Sequence, residues 1–105
     1  MVRRVVWTES AIDQLKEILK YWTERNGSNA YSIKLRNGLR HLSRHIAKYP
    51  ESGVLCENPN FRFRAYRFYE VYYRHTDTEI YIVLIWDGRR NPRDLNPDYL
   101  AVQPK

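Results

Sequence analysis

Residues 80–92 read IYIVLIWDGRRNP, and this segment determines the architecture of the chain. Its apolar part consists of β-branched residues, aromatic residues and a leucine, a composition typical of a strand buried on both faces at the centre of a small sheet. The strand ends at Asp87-Gly88, and Arg89 and Arg90 follow it directly. It therefore places two arginines at one end of the sheet, where they can bind an anionic group.

Two further strands are predicted before this one. Residues 68–75 and 79–86 flank the turn Thr76-Asp77-Thr78, which predicts a β-hairpin. Residues 61–67 alternate between apolar and basic side chains, which predicts a strand with one buried face and one basic face carrying Arg62 and Arg64. In an antiparallel meander of these strands, Arg67 lies near the arginine end of the sheet and Arg62 near the opposite end.

The first half of the chain predicts a short strand at residues 2–7 and two helices. Thr8 is in the N-cap position of the first helix, which runs to about Arg25 and ends at Asn26-Gly27. Ser28 is predicted to cap the second helix, which ends before Pro50. The apolar residues recur at spacings of three and four: Ala11, Ile12, Leu15, Ile18, Leu19 and Trp22, then Tyr31, Leu35, Leu39, Leu42, Ile46 and Tyr49.

These elements predict one α+β domain over residues 1–105, in the order β-α-α-β-β-β. An antiparallel sheet packs against an N-terminal helical hairpin. Residues 51–60 are predicted to be a loop because prolines, a glycine and asparagines interrupt them. Residues from about 96 to 105 are predicted to be an irregular tail, with at most one short turn after Gly88.

The chain is basic, with a formal net charge of +6 and a pI of about 9.6, which favours an acidic partner such as nucleic acid or an acidic protein. The single cysteine, Cys56, excludes an internal disulfide and favours a reducing cytoplasm. We find no signal peptide and no run of ~20 apolar residues, so no membrane association is predicted. Without a metal motif or a glycine-rich phosphate loop, no cofactor or metal is predicted.

A basic stripe is predicted along one side of the second helix. Arg36, Arg40 and Arg44 are four residues apart and therefore share one face, which Lys48 extends. One interpretation is a solvated helix face. The other is a docking surface for an acidic partner or nucleic acid, and like charges at this spacing cost the isolated helix a few tenths of a kcal/mol per pair.

The predicted sheet carries the second group of candidate residues. Its arginines could hold an RNA backbone, and its tyrosines could stack on bases. Cleavage of RNA also needs an acid and a base, for which Glu70, His75 and Tyr99 are candidates. Each of these residues also has an ordinary structural interpretation. The full set is Arg62, Arg64, Arg67, Arg89 and Arg90, with Tyr69, Tyr72 and Tyr73 as stacking residues.

Taken together, residues 5–95 resemble toxins of the RelE/ParE superfamily from bacterial type II toxin–antitoxin modules, a group that includes plasmid stabilisation proteins. The resemblance rests on four segments in order: Trp7-Thr8-Glu9-Ser10-Ala11, Tyr49-Pro50-Glu51-Ser52-Gly53, Phe68-Tyr69-Glu70-Val71-Tyr72-Tyr73-Arg74, and residues 80–85 followed by Asp87-Gly88-Arg89-Arg90-Asn91-Pro92. It implies a growth-inhibiting protein that is neutralised by a cognate acidic antitoxin.

The resemblance leaves the target open. A RelE-like member would be a ribosome-dependent mRNA endonuclease, and its catalytic residues would then be Arg62, Arg64, Arg89, Arg90 and Tyr99. A ParE-like member would inhibit DNA gyrase and lack that set. The long helical hairpin and the loop after it favour ParE. Residues expected to bind the antitoxin or nucleic acid are Arg36, Arg40, Arg44, Arg62, Arg64, Arg67 and Tyr72. A non-toxic nucleic-acid-binding module is the remaining alternative.

Overall fold

The computed structural model describes residues 2–101. Five strands and two α-helices follow one another along the chain, and two short 3₁₀ turns come after the last strand. The elements are β1 (Arg4–Trp7), α1 (Glu9–Asn26), α2 (Ala30–Lys48), β2 (Val54–Leu55), β3 (Arg62–Tyr66), β4 (Tyr69–His75), β5 (Glu79–Asp87), and 3₁₀ turns at Pro92–Asp94 and Pro97–Tyr99.

The strands form one sheet in the order β1-β5-β4-β3-β2. Pairing is antiparallel from β2 to β5, whereas β1 pairs parallel with β5, so the sheet is mixed. The α+β class and the helical hairpin are confirmed. The central strand is β4, and β5 lies between β4 and β1, so the prediction that residues 80–86 occupy the middle of the sheet is off by one strand.

The helical hairpin forms largely as its sequence signals predict. The Thr8 side chain accepts a hydrogen bond from the Ala11 amide at 3.3 Å, and Gly27 ends α1 at φ 64°. The predicted cap of α2 is wrong by one residue because Asn29 is the N-cap. Ser28 instead accepts a hydrogen bond from the Ala30 amide, at 3.2 Å, in the turn between the helices.

The main core lies between the helices and one face of the sheet. Its helix side includes Leu35, Leu39 and Ile46, which the three-four periodicity identified. Its sheet side alternates along the strands, and the fully buried members of β5 are Ile80 and Ile82. This burial accounts for the packing of both helices on one face.

A smaller core covers the opposite face of the sheet. Tyr72 and Trp86 are buried there beneath Leu95, with Tyr99 packed against them. The segment after β5 therefore returns across the sheet with two 3₁₀ turns, where one turn at most was predicted. It reaches the β2 edge, where Ala101 pairs with Cys56. The predicted loop at residues 51–60 is also interrupted, because Val54–Leu55 pairs with β3.

Candidate functional site

The end of β5 holds the two neighbouring arginines in different ways. The Asp87 carboxylate accepts three hydrogen bonds from Arg89: from its backbone N at 2.9 Å, its Nε at 3.0 Å and its Nη2 at 2.8 Å. These side-chain bonds lower the pKa of Asp87. The Arg89 guanidinium also lies 4.7 Å from the centre of the Phe68 ring. Arg89 is thus fixed against the protein on both sides.

Arg90 is the freer of the two. Its guanidinium stacks 4.4 Å from the Trp86 ring and stays exposed to solvent. Within residues 2–101 the ion pairs are Arg4–Glu79, Lys20–Glu24 and Arg89–Asp87, so Arg90 has no carboxylate partner there. Arg90 is therefore available to an anionic group of another molecule.

An open cleft of about 450 Å³ lies between α1 and the second half of β5. The Gln14 side chain crosses it, because its Oε1 accepts the Ile85 amide proton at 2.9 Å. Arg89 and Arg90 lie at one end of the cleft. The lining residues from α1 are Gln14, Glu17, Ile18 and Tyr21.

The basic face of β3 exists as the alternation predicts, but it turns toward the helices instead of forming a free binding face. Arg62 and Arg64 pair across the ladder with Tyr73 and Val71, which belong to the helix-facing core, so both arginines point toward the helical side. Arg62 donates to the Gly53 carbonyl at 3.0 Å. Arg64 Nη1 lies 2.9 Å from Ser52 Oγ and 3.0 Å from His45 Nδ1. Both hold the segment after α2.

The three tyrosines predicted to stack on bases are buried, and that prediction is wrong. The Tyr69 hydroxyl accepts from Trp22 Nε1 at 2.8 Å. The Tyr73 hydroxyl donates to the Pro50 carbonyl at 2.7 Å and accepts from the Gly53 amide at 3.0 Å. Tyr72, also expected to bind a partner, donates to Glu70 Oε1 at 3.0 Å. Burial raises the pKa of all three hydroxyls.

Tyr99 lies on the face of the sheet opposite to Arg62 and Arg64. Its ring packs edge-on against Phe61 at 5.1 Å and Tyr72 at 5.2 Å. Burial raises the pKa of its hydroxyl above the ordinary value. The five residues predicted for a nuclease site therefore do not converge on one point: two arginines lie on the helical face, Tyr99 on the other face, and Arg89 and Arg90 beyond the end of β5.

The basic stripe on α2 is present as predicted. Arg36, Arg40, Arg44 and Lys48 are all exposed, and the ion pairs of the described residues include none of them. No acidic residue occurs in α2, which makes this helix uniformly basic. Arg67 occupies the turn between β3 and β4 at φ 53°, with its guanidinium 5.6 Å from the Tyr66 ring. As predicted, this turn lies at the arginine end of the sheet, because the Gly88 amide donates to the Phe68 carbonyl at 2.7 Å.

The cleft beside β5 was missed by sequence reasoning, although one signal for it exists. Gln14 lies three residues after Ala11 and four before Ile18, so it is a polar residue within the apolar face of α1. A polar side chain on such a face usually bonds to backbone or to another polar group of the core. The position of Gln14 therefore indicated that its side chain bonds to a polar group of the core, but it did not reveal that this group is the Ile85 amide of β5.

Two classes of site receive no support from the described residues. Neither helix of residues 2–101 is long and apolar enough to cross a membrane. The same residues contain no group of three or more His, Cys, Asp or Glu side chains placed to hold a metal ion. The candidate sites are therefore the cleft with Arg90 and the basic face of α2.

Comparison with known proteins agrees with this architecture. The family model described as the ParE toxin of the type II toxin–antitoxin system, parDE, matches residues 5–92. A solved structure described as the chromosomal ParDE TA system from P. aeruginosa superposes with a TM-score of 0.68 at 18% identity, covering 80% of this chain and 94% of that chain. A search of curated proteins gives no significant match. Since the family model spans most of its length, the chain belongs to the family of ParE toxins of type II toxin–antitoxin systems.

Proposed function

We propose that this toxin arrests growth by inhibiting DNA gyrase in the cytoplasm and is neutralised by a cognate acidic antitoxin. The observation that carries the gyrase proposal is the separation of the residues that a nuclease would need. Tyr99 and the Arg62–Arg64 pair lie on opposite faces of the sheet. Membership of the ParE family supports the same choice.

Chemistry makes this separation informative. Cleavage of RNA by its own 2′-hydroxyl requires a base, an acid and a positive group around one phosphate, within hydrogen-bond reach. Arg62 and Arg64 already bind loop atoms, and the Tyr99 ring packs between Phe61 and Tyr72. A toxin that acts by binding a protein needs surfaces and no converging catalytic groups. The exposed Arg90 and the α2 stripe supply such surfaces.

Neutralisation by an acidic antitoxin suits the charge of the chain. The net charge is +6, and the α2 stripe carries four unpaired basic side chains among the described residues. An acidic segment that folds on binding can cover a large area of such a surface, although ordering the segment consumes part of the interaction free energy.

Controlled expression in a bacterial host tests the target. We expect growth arrest, loss of gyrase-dependent supercoiling and intact translated mRNA. Purified toxin should inhibit supercoiling by purified gyrase, and Arg90→Ala should weaken inhibition about tenfold or more, while the neighbouring exposed Arg93→Ala serves as the matched control.

Two other results would contradict the proposal. Message cut at the ribosome with normal supercoiling would establish a RelE-like nuclease. Normal growth together with uninhibited gyrase, from protein shown to be folded by circular dichroism, would favour a non-toxic binding module.

A further inference from the structure

Strand β5 is longer than the strand that pairs with its outer edge. The last register pair between β1 and β5 joins Trp7 to Ile82, and the Thr8 amide donates to the Ile82 carbonyl at 3.0 Å before the chain enters α1. From Leu84 to Asp87, β5 continues to pair with β4 on its other side. Among residues 2–101, no strand covers this outer edge.

A single side chain occupies the uncovered edge. The Ile85 amide points away from β4 and donates to Gln14 Oε1 at 2.9 Å. Because the amide and carbonyl of one residue point to the same side of a strand in an antiparallel ladder, the Ile85 carbonyl also faces the cleft. Unpaired strand edges are templates for pairing with another chain, and proteins usually cover them. Here the Gln14 carboxamide takes the place of one residue of a neighbouring strand.

The other edge of the sheet is treated differently. Strand β2 is two residues long, and the returning C-terminal segment pairs with the residues beside it through the Cys56–Ala101 bridge. That edge is therefore short and covered. Among the described residues, no strand covers the outer edge of β1 or the part of the β5 edge that extends beyond β1, and it is this β5 segment that lies inside a cleft of about 450 Å³.

The cleft also limits what can bind there. An α-helix has its backbone groups satisfied internally and cannot bond to the Ile85 amide and carbonyl. An extended peptide can bond to both, with alternate side chains facing the sheet surface and the cleft. Ile18 and Tyr21 offer apolar contacts on the α1 wall, and Glu17 on the same wall disfavours an acidic neighbour. Arg90, at the end of the cleft, favours an acidic side chain of the bound peptide.

We propose that an extended segment of the antitoxin binds as an additional strand on the outer edge of β5, displaces the Gln14 carboxamide from Ile85, and sets an acidic side chain against Arg90. This inference rests on the proposed neutralisation by an antitoxin. It predicts a segment with apolar residues opposite α1 and a carboxylate at the end that reaches Arg90. Gln14 then acts as a competitor that must be removed before the strand can pair.

The test uses the whole chain and its cognate antitoxin. Substituting Gln14→Ala removes the competing acceptor, and we expect antitoxin affinity to rise about threefold to tenfold, the effect of one ordinary hydrogen bond. Gln14→Glu keeps an acceptor and strengthens its bond to Ile85, so affinity should fall. Lys16→Ala, exposed on the same helix, is the matched control and should change nothing.

Hydrogen exchange at the Ile85 and Asp87 amides gives an independent measurement. Both amides should exchange more slowly in the complex than in the free toxin. Arg90→Ala should weaken binding about tenfold, while Arg93→Ala should not.

The outcomes separate this inference from the function on which it rests. A complex in which the Ile85 and Asp87 amides exchange as in the free toxin, and whose affinity is unmoved by both Gln14 variants, overturns the strand-addition proposal and leaves neutralisation intact. Failure of folded toxin to bind the antitoxin overturns both. If light scattering shows a toxin dimer that Gln14→Glu dissociates, the occupant of the edge is a second copy of this chain, and the proposal is wrong.

Discussion

Two adjacent arginines at the end of β5, Arg89 and Arg90, make different contacts although they are the same residue type. The Arg89 guanidinium forms an ion pair with Asp87. The Arg90 guanidinium stacks on the Trp86 ring and is exposed to solvent. The sequence alone does not distinguish the two, because nothing in Asp-Gly-Arg-Arg reveals which arginine forms the ion pair with Asp87. After the turn at Gly88, the Arg89 side chain bonds to Asp87 and the Arg90 side chain stacks on the Trp86 ring. We therefore assign partner binding to Arg90.

The Asp87–Arg89 pair predicts a pH effect on stability. The pKa of Asp87 is lowered in the folded chain from its ordinary value of 3.8, so the pair contributes stability above that value and loses it as the pH falls through the lowered pKa. Asp87→Asn should be less stable than the parent protein at neutral pH, and the difference should shrink in acid well below 3.8. Urea unfolding at both conditions measures it. A difference that does not change with pH would show that the ionised carboxylate contributes nothing.

Cys56 should be chemically silent in the folded protein. Its side chain is fully buried, and burial raises the pKa of the thiol to about 11. Because the thiolate is the reactive form, a disulfide reagent at mildly alkaline pH should label Cys56 only as fast as the chain unfolds. In denaturant the one thiol should react at once, which is the control. Rapid labelling of the native protein would contradict the burial of Cys56 beneath the C-terminal segment.

At the scale of elements, α2 carries a glycine in its interior for a packing reason. A methyl group on Gly38 would collide with the ring and hydroxyl of Tyr66 at the end of β3. Gly38→Ala should destabilise the fold, since overpacking costs about 1–3 kcal/mol and exceeds the gain of about 1 kcal/mol in helix propensity. In a Tyr66→Ala background the same substitution should stabilise by about 1 kcal/mol. Denaturant unfolding of the four proteins measures this reversal, and a stabilising Gly38→Ala in the parent would contradict it.

The sequence predicted the elements better than it predicted their faces. Periodicity located both helices and the three long strands, because each buries one repeating set of apolar residues. For β3 the alternation was correct, but the alternation alone did not show that the helices cover the Arg62–Arg64 face. Phe63 packs on the far face under the C-terminal segment, while Arg62 and Arg64 extend over the rim of the main core to bond with the loop after α2.

The candidate site was predictable only in part, for a related reason. The α2 stripe follows from helix geometry alone, and the structure contains it. The nuclease set depended on long-range geometry, namely which face each residue occupies and where the segment after β5 returns. The open edge of β5 arises from a difference in length between β1 and β5, whose paired residues are 75 positions apart in the sequence, from Arg4–Glu79 to Trp7–Ile82. No local pattern encodes such a difference.

At the scale of the whole molecule, charge is distributed unevenly between the two helices. Helix α1 contains both acidic and basic residues, whereas the charged residues of α2 are all basic and exposed to solvent. The +6 net charge is therefore concentrated partly on one face, which can steer an acidic partner before contact. From this arrangement we infer two steps of recognition, in which the stripe attracts the antitoxin and the cleft beside β5 holds it.

Charge reversal tests this division. Replacing Arg36, Arg40 and Arg44 with Glu lowers the net charge by two per site, from +6 to zero, and should slow antitoxin association about tenfold or more at low salt while changing dissociation little. The difference should shrink as salt screens the exposed charges. The control carries the same net change at the exposed Lys16, Arg25 and Arg93. If both triple variants slow association equally, net charge alone is responsible. If neither does, the stripe is an ordinary solvated face, and recognition depends on the cleft beside β5 alone.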